Sequence, residues 1–227
     1  EAPVVITVDG TPDAGAWYGL LFDAQSTNSN IDNAEIRFGG RTGFGVTGCI
    51  TVRDAPDGAL TLTNVTFESC QQSGLSVAQT QFTATGLAFN NSDAGLAHEA
   101  SNLGSVTETF SYDGTLTNIL RGGDVSETAT WVTQGIPYAV GDSIEVRGAT
   151  GPVITLQAGL ELAFDNGEWL QVGDTMAGSL VSAGTETDNV ILRGQDAVVN
   201  AGSWFGLRFA SGSSGSSLAY TRIDQGG

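Results

Sequence analysis

Residues 15–40 and 202–227 are two versions of one segment. GAWYGLLFDAQSTNSNIDNAEIRFGG and GSWFGLRFASGSSGSSLAYTRIDQGG align without a gap. They agree at Gly15/Gly202, Trp17/Trp204, Gly19/Gly206, Leu20/Leu207, Phe22/Phe209, Ser26/Ser213, Ser29/Ser216, Ile36/Ile223, Gly39/Gly226 and Gly40/Gly227. Several differences keep the side-chain character, as in Tyr18/Phe205 and Ile31/Leu218. A chain that copies itself is built of stacked units, each burying its apolar face on a neighbour. The second copy breaks off where the sequence stops, so the expectation is a segment of a longer tandem-repeat chain.

Composition narrows the class. Glycine makes up 32 of the 227 residues and proline only 5, which suits many tight corners. Val, Ile, Leu and Phe recur throughout, against a collagen-like or disordered chain. There are 25 acidic residues against eight arginines and no lysine, for a net charge of −17. Nucleic acid and anionic lipid both require clustered Lys or Arg, so neither is an expected partner. The plainest consequence of the charge is solubility by self-repulsion. No apolar run reaches the ~18 residues of a membrane span, so the chain is not expected to be membrane-embedded.

Helical periodicity is nearly absent, whereas short alternating segments between turn residues are everywhere. Examples are VVITV (4–8), AEIRF (34–38), CITV (49–52), LTLTNVTF (60–67), TLTNIL (115–120), VITL (153–156), LELAF (160–164) and WLQV (169–172). Two architectures fit: a β-sandwich of hairpins, or a solenoid with two or three short strands per coil. The dipeptides Asp9-Gly10, Asp57-Gly58, Asp113-Gly114 and Asn166-Gly167 favour hairpins. A second, shorter self-similarity favours the solenoid. Leu60, Val65, Phe67 and Cys70 match Phe82, Leu87, Phe89 and Ser92, all at one constant offset. Asn33–Ile36 match Asn64–Phe67 at a longer offset, the excess lying in the glycine-rich loop GGRTGFGVTG (39–48). Periods in the twenties are single coils. The expected fold class is therefore all-β, a parallel β-helix with coils of about 22 residues. Coils are expected over 1–121, an irregular connector over 122–152, and coils beginning the next repeat over 153–227.

The run ITL-x-x-G-x-x-L-x-F-x-x-G-x-x-L-x-V, followed by G-x-L-x-x-x-G-T, V-I-L-x-G and W-x-G-L-x-F, resembles the right-handed parallel β-helix repeat proteins, which share the pectate-lyase fold. The W-x-G-L-x-F strand, its Ser/Asn-rich turn and the later N-x-x-F-x-x-C resemble large secreted or surface-anchored bacterial proteins of that group. The resemblance spans residues 1–99 and about 144–227. It implies an extracellular or cell-surface location and a non-catalytic structural or adhesive module, an adhesin or filament segment. The partners it implies are other copies end to end, or surface glycans. The alternative is a polysaccharide-binding domain or polysaccharide lyase.

The candidate chemistry is sparse. Cys49 and Cys70 are spaced by close to one coil, so a structural disulfide is favoured over two buried thiols. Trp17 and Trp204 occupy equivalent places and are candidate carbohydrate or partner contacts, with core packing as the alternative. His98 is the only histidine and has no serine-nucleophile motif to serve. Arg37, Arg41 and Arg53 are the arginines that stacking could bring together, near Asp54 and Asp57. The pairs Asp165/Glu168, Asp54/Asp57 and Asp9/Asp13 are spaced like turns rather than acid–base pairs, and would hold Ca²⁺ weakly at most. The threonines 61, 63, 66, 83, 85, 115 and 117 could form flat arrays, although their spacing is not strict. No catalytic, cofactor or metal site is expected.

Overall fold

The computed structural model describes residues 2–113, 116–195 and 201–227; Gly114 and Thr115, from the expected turn and the strand after it, lie outside these. The described residues form 23 short strands and one six-residue 3-10 helix, Ala100–Ser105. No helix among them is long and apolar enough to cross a membrane. The protein is all-β, and the strand pairings within each unit below are parallel, as in β3 with β5 or β16 with β19. The chain separates into two units: one up to His98 with Phe110–Asn118, the other Glu99–Thr109 with Ile119–Gly227.

In the first unit the strands alternate between two sheets. They are β1 Val4–Ile6, β2 Leu20–Phe22, β3 Ser29–Arg37, β4 Gly48–Arg53, β5 Leu60–Glu68, β6 Ser73–Ala78, β7 Thr83–Thr85, β8 Ala88–Asn90, β9 Ala94–Glu99 and β10 Ser111–Tyr112. One sheet runs β1-β3-β5-β8-β10, with β7 also on β5; β2-β4-β6-β9 belong to the other. The registers reproduce the sequence offsets: Ile36 pairs with Phe67, and Phe67 with Phe89. The rings of Phe67 and Phe89 stack at 5.0 Å, and Phe89 stacks on Tyr112 at 5.3 Å. This ladder faces the other sheet at Gly74, where a Cβ would lie 2.5 Å from the Phe89 ring. Burying such side chains contributes roughly 1.5–3 kcal/mol each.

The corners of this unit are single residues in the left-handed region. Asn33, Asn64 and Gly86 form one column (φ 50°, 52° and 65°), and Phe38, Ser69 and Asn91 another (60°, 55° and 47°). Asn tolerates this region because its short amide substitutes for a backbone partner. The first column bends β3 and β5 in the middle and separates β7 from β8. Asp9-Gly10 and Asp57-Gly58 make corners too, with φ of +90° and +73° at their glycines. They connect strands of different sheets, so they are not hairpin turns.

The second unit contains β11 Asn118–Arg121, β12 Gly123–Val125, β13 Ala129–Trp131, β14 Tyr138–Val140, β15 Ile144–Val146, β16 Val153–Gln157, β17 Glu161–Phe164, β18 Trp169–Val172, β19 Ser179–Ala183, β20 Val190–Gly194, β21 Gly206–Phe209, β22 Ser217–Ala219 and β23 Thr221–Asp224. From β12 onward each set of three strands supplies one member to each of three sheets: β12-β15-β18-β21, β13-β16-β19-β22, and β14-β17-β20-β23. Successive circuits therefore lie in register, and apolar side chains repeat along each column. Leu162 pairs with Leu192 and Leu192 with Ile223. Leu170 pairs with Leu207, and Val172 with Phe209.

Two expectations need correction here. The segment 122–152 is not irregular, because it holds β12–β15, whose Val125, Trp131, Tyr138, Val140, Ile144 and Val146 are buried. Each of these strands has only 3 residues, too short to display a period. The coil length is also not uniform. Along a single column the step from partner to partner lengthens, from Gly123/Ile144 through Ile144/Leu170 to Trp169/Gly206. Only the strands must stay in register, so the loops between them vary freely.

Candidate interaction surface

The duplicated segment folds the same way twice. Trp17 Nε1–H donates to the Arg37 carbonyl at 2.7 Å, and Trp204 Nε1–H donates to the Asp224 carbonyl at 2.7 Å. Gly15 and Gly202 have φ of +76° and +80°, and Gly19 and Gly206 +111° and +99°. Asn33 and Tyr220 share the left-handed corner at +50° and +44°, as do Phe38 and Gln225 at +60° and +64°. In each copy the indole thus pins the start of the segment to its end.

That role removes Trp204 from the candidate ligand contacts. It is 0 % exposed, and its ring stacks on Phe164 at 4.6 Å, so it offers no face to a ligand. Trp17 is half-buried and lies beside Gly39, where a Cβ would be 3.3 Å from its ring. Cys49 and Cys70 form a disulfide with Cα atoms 5.7 Å apart. Cys49 Sγ lies 3.1 Å from the place of a Gly39 Cβ, so glycine, indole and disulfide share one tight spot.

The aromatics that directly follow the two tryptophans, Tyr18 and Phe205, are exposed. Tyr18 meets Phe44 edge to face at 4.9 Å, and the Arg41 guanidinium lies 5.6 Å from the Tyr18 ring centre. Arg41 is held by the carbonyls of Gly15 (3.0 Å) and Ala16 (3.2 Å). Phe44 is 76 % exposed and left-handed at φ +51° in the glycine-rich loop. A bulky residue in that region is a true backbone outlier. In the equivalent place to Tyr18, exposed Phe205 stacks on Trp169 at 6.0 Å. The signal for this patch was an aromatic set among glycines, GGRTGFGVTG, together with the aromatic following each repeated Trp.

The other candidate residues serve the scaffold. Arg37 pairs with Glu35 at 2.7 Å, and that bond, with the nearby carboxylates, raises the guanidinium above its ordinary pKa. Arg41 is occupied as described, and the Arg53 guanidinium lies against Gly45. His98 is wholly buried. Asp57 accepts the Gln81 amide at 2.8 Å, and the Glu168 amide closes a turn on the Asp165 carbonyl. Thr61 and Thr63 pair in register with Thr83 and Thr85, a small two-strand array. Among the described residues no three of His, Cys, Asp and Glu come together as a metal-binding group. One cluster escaped the sequence reading: Arg147 holds Glu145 (2.7 Å), Asp124 (3.1 Å) and Asp174 (3.3 Å). It cross-links β12, β15 and the end of β18, and its carboxylates are engaged by the one guanidinium.

The final circuit leaves an open depression of about 300 Å³, lined by Phe209, Ser213, Gly215, Ser216, Ser217 and Leu218. Phe209 and Leu218 continue the columns of Val172 and Ser182.

No family model, curated protein or solved structure matches this chain.

Proposed function

We propose that this protein is a structural or adhesive module of an extracellular or cell-surface fibre, built as a right-handed parallel β-helix of the pectate-lyase-like type. The observation that carries this reading is the duplication: two segments far apart in the chain form the same pinned circuit inside parallel, in-register columns. A fold of this kind does its work by stiffness, since each circuit is hydrogen-bonded to the next. The disulfide fits an oxidising compartment. Immunogold labelling of the source cells tests the proposal: label on surface fibres supports it, and label confined to the cell interior overturns it. Release of unsaturated uronates from polygalacturonate or alginate would replace it with the lyase reading.

A second reading, polysaccharide binding, is favoured by the Tyr18–Phe44 pair and its guanidinium. Ring faces stack on sugars, and Phe44 is 76 % exposed beside Tyr18. A glycan array read with the wild type and Phe44→Ala decides it; binding that the substitution lowers at least tenfold supports this site, and equal or absent binding overturns it.

A further inference from the structure

We propose that the turn at residues 43–46 binds a terminal, carboxylate-bearing sugar, with the Phe44 ring against the sugar and the Arg53 guanidinium on its carboxylate. This rests on the polysaccharide-binding reading above and names the class of sugar.

The turn is rigid and strained. The Val46 amide donates to the Gly43 carbonyl at 2.9 Å, and the two central residues, Phe44 and Gly45, have φ of +51° and +74°. Two positive φ values in that place mark a type I′ turn, whose first central residue is usually Asn, Asp or Gly. Phenylalanine there costs backbone energy and gains no burial, since it is 76 % exposed. Strain of this kind persists only where the surroundings over-determine it, and it clusters at binding sites. Here the feet of the loop are fixed. Gln72 Nε2–H donates to Thr42 Oγ1 at 2.7 Å, and Ser73 Oγ–H to the Thr47 carbonyl at 2.8 Å. The Thr47 and Ser76 hydroxyls meet at 2.7 Å. The Tyr18 ring supports the turn, meeting Phe44 edge to face and lying 3.0 Å from the place of a Gly43 Cβ. Phe44 is thus presented in one orientation, and a ligand has little left to order.

The charge beside it is uncompensated. The Arg53 guanidinium occupies the place that a Gly45 Cβ would need. Tyr18 therefore lies against Gly43 and Arg53 against Gly45, the two residues that flank Phe44. Arg37, Arg147, Arg193 and Arg222 each hold a carboxylate, and Arg41 is spent on two carbonyls. Among the described residues the Arg53 side chain has neither an ion pair nor a hydrogen bond. The loop 39–48 itself contains no acidic residue. A free guanidinium fork matches a carboxylate in a bidentate pair.

These groups divide the recognition. An aromatic ring accepts the C–H face of any sugar, so Phe44 alone does not select. Arg53 selects an anionic substituent. The net charge of −17 limits how many such charges the ligand carries. A polyanion is repelled along its whole length, whereas a single carboxylate senses only charges within about 8 Å at physiological salt. One exposed ring on one turn suits a chain end for the same reason.

The test is an array of glycan pairs, each with and without a terminal sialic acid, with oligogalacturonate as the polyanion and the full chain as the probe. The sialylated member should bind about tenfold or more tightly than its neutral partner, the worth of one charged hydrogen-bonded contact. Arg53→Gln should erase that preference and leave the melting temperature unchanged. Phe44→Asn should weaken binding to both members while raising the melting temperature, because Asn suits the left-handed place; a Phe that served only the fold would lower it. Equal binding of both members that still depends on Phe44 overturns the carboxylate assignment and leaves the polysaccharide reading standing. Absence of any Phe44-dependent binding overturns both. A preference that survives Arg53→Gln, or oligogalacturonate bound more tightly than the sialylated glycans, also overturns the proposal.

Discussion

The circuits 15–40 and 202–227 have the same indole bond and the same left-handed corners, yet their apolar side chains meet different fates. Ile36 is 0 % exposed because β1 and β5 flank it. Its counterpart Ile223 is 45 % exposed because only β20 does. Gly39 has the disulfide and Trp17 pressed against it, whereas Gly226 has open contacts of 3.5 Å and more. Local backbone shape thus follows the segment, and stability follows the neighbours. This is the behaviour of a quasi-one-dimensional stack, in which a unit's energy is shared with adjoining units.

The largest expected effect separates the two isoleucines. Ile36→Ala should cost about 2–5 kcal/mol in urea unfolding, as for a buried aliphatic truncation. Ile223→Ala in dilute protein should cost about 1 kcal/mol or less. Equal losses would break the comparison. Next comes the disulfide between Cys49 and Cys70, which closes a loop about one coil long. Cys49→Ser with Cys70→Ser should lower stability by about 3 kcal/mol. Hydrogen exchange should then speed up in peptides around Trp17 and stay unchanged around Trp204.

The glycines give a smaller and cleaner contrast. Gly39→Ala should destabilise by about 1 kcal/mol, because the new methyl meets Cys49 Sγ at 3.1 Å and Trp17 at 3.3 Å. Gly226→Ala should be neutral or slightly stabilising, since it meets only ordinary contacts and reduces unfolded-state freedom. The smallest effect lies at the shared corner. Tyr220→Gly should raise stability in thermal unfolding by about 0.5–1 kcal/mol, by relieving a left-handed Tyr. Asn33→Gly should stay within about 0.5 kcal/mol, because Asn already tolerates that conformation.

Much of the first unit was legible in the amino acids alone. The two sequence offsets predicted the pairings of Phe67 with Phe89 and of Ile36 with Phe67, because parallel stacking puts like residues in columns. The cysteine spacing predicted the disulfide for the same reason. The strands β12, β13 and β14 were not legible, since such short strands cannot express a period, whereas SIEV (143–146) already read as the strand that is β15. The Tyr18–Phe44–Arg41 patch was half legible: the loop was expected to bulge, but its return onto Tyr18 depends on a contact between residues distant in the chain.

By itself the sequence determined an all-β chain with glycine and asparagine corners, parallel columns in its first part, and one circuit written twice. These are local or strictly periodic properties, carried by φ preferences and side-chain alternation. Only the tertiary structure decided that Trp204 is buried while Phe205 is exposed, and that the strands β12–β23 are shared among three sheets. Burial and partnership depend on which strand arrives one circuit later, and loops of variable length hide that distance from any reading along the chain.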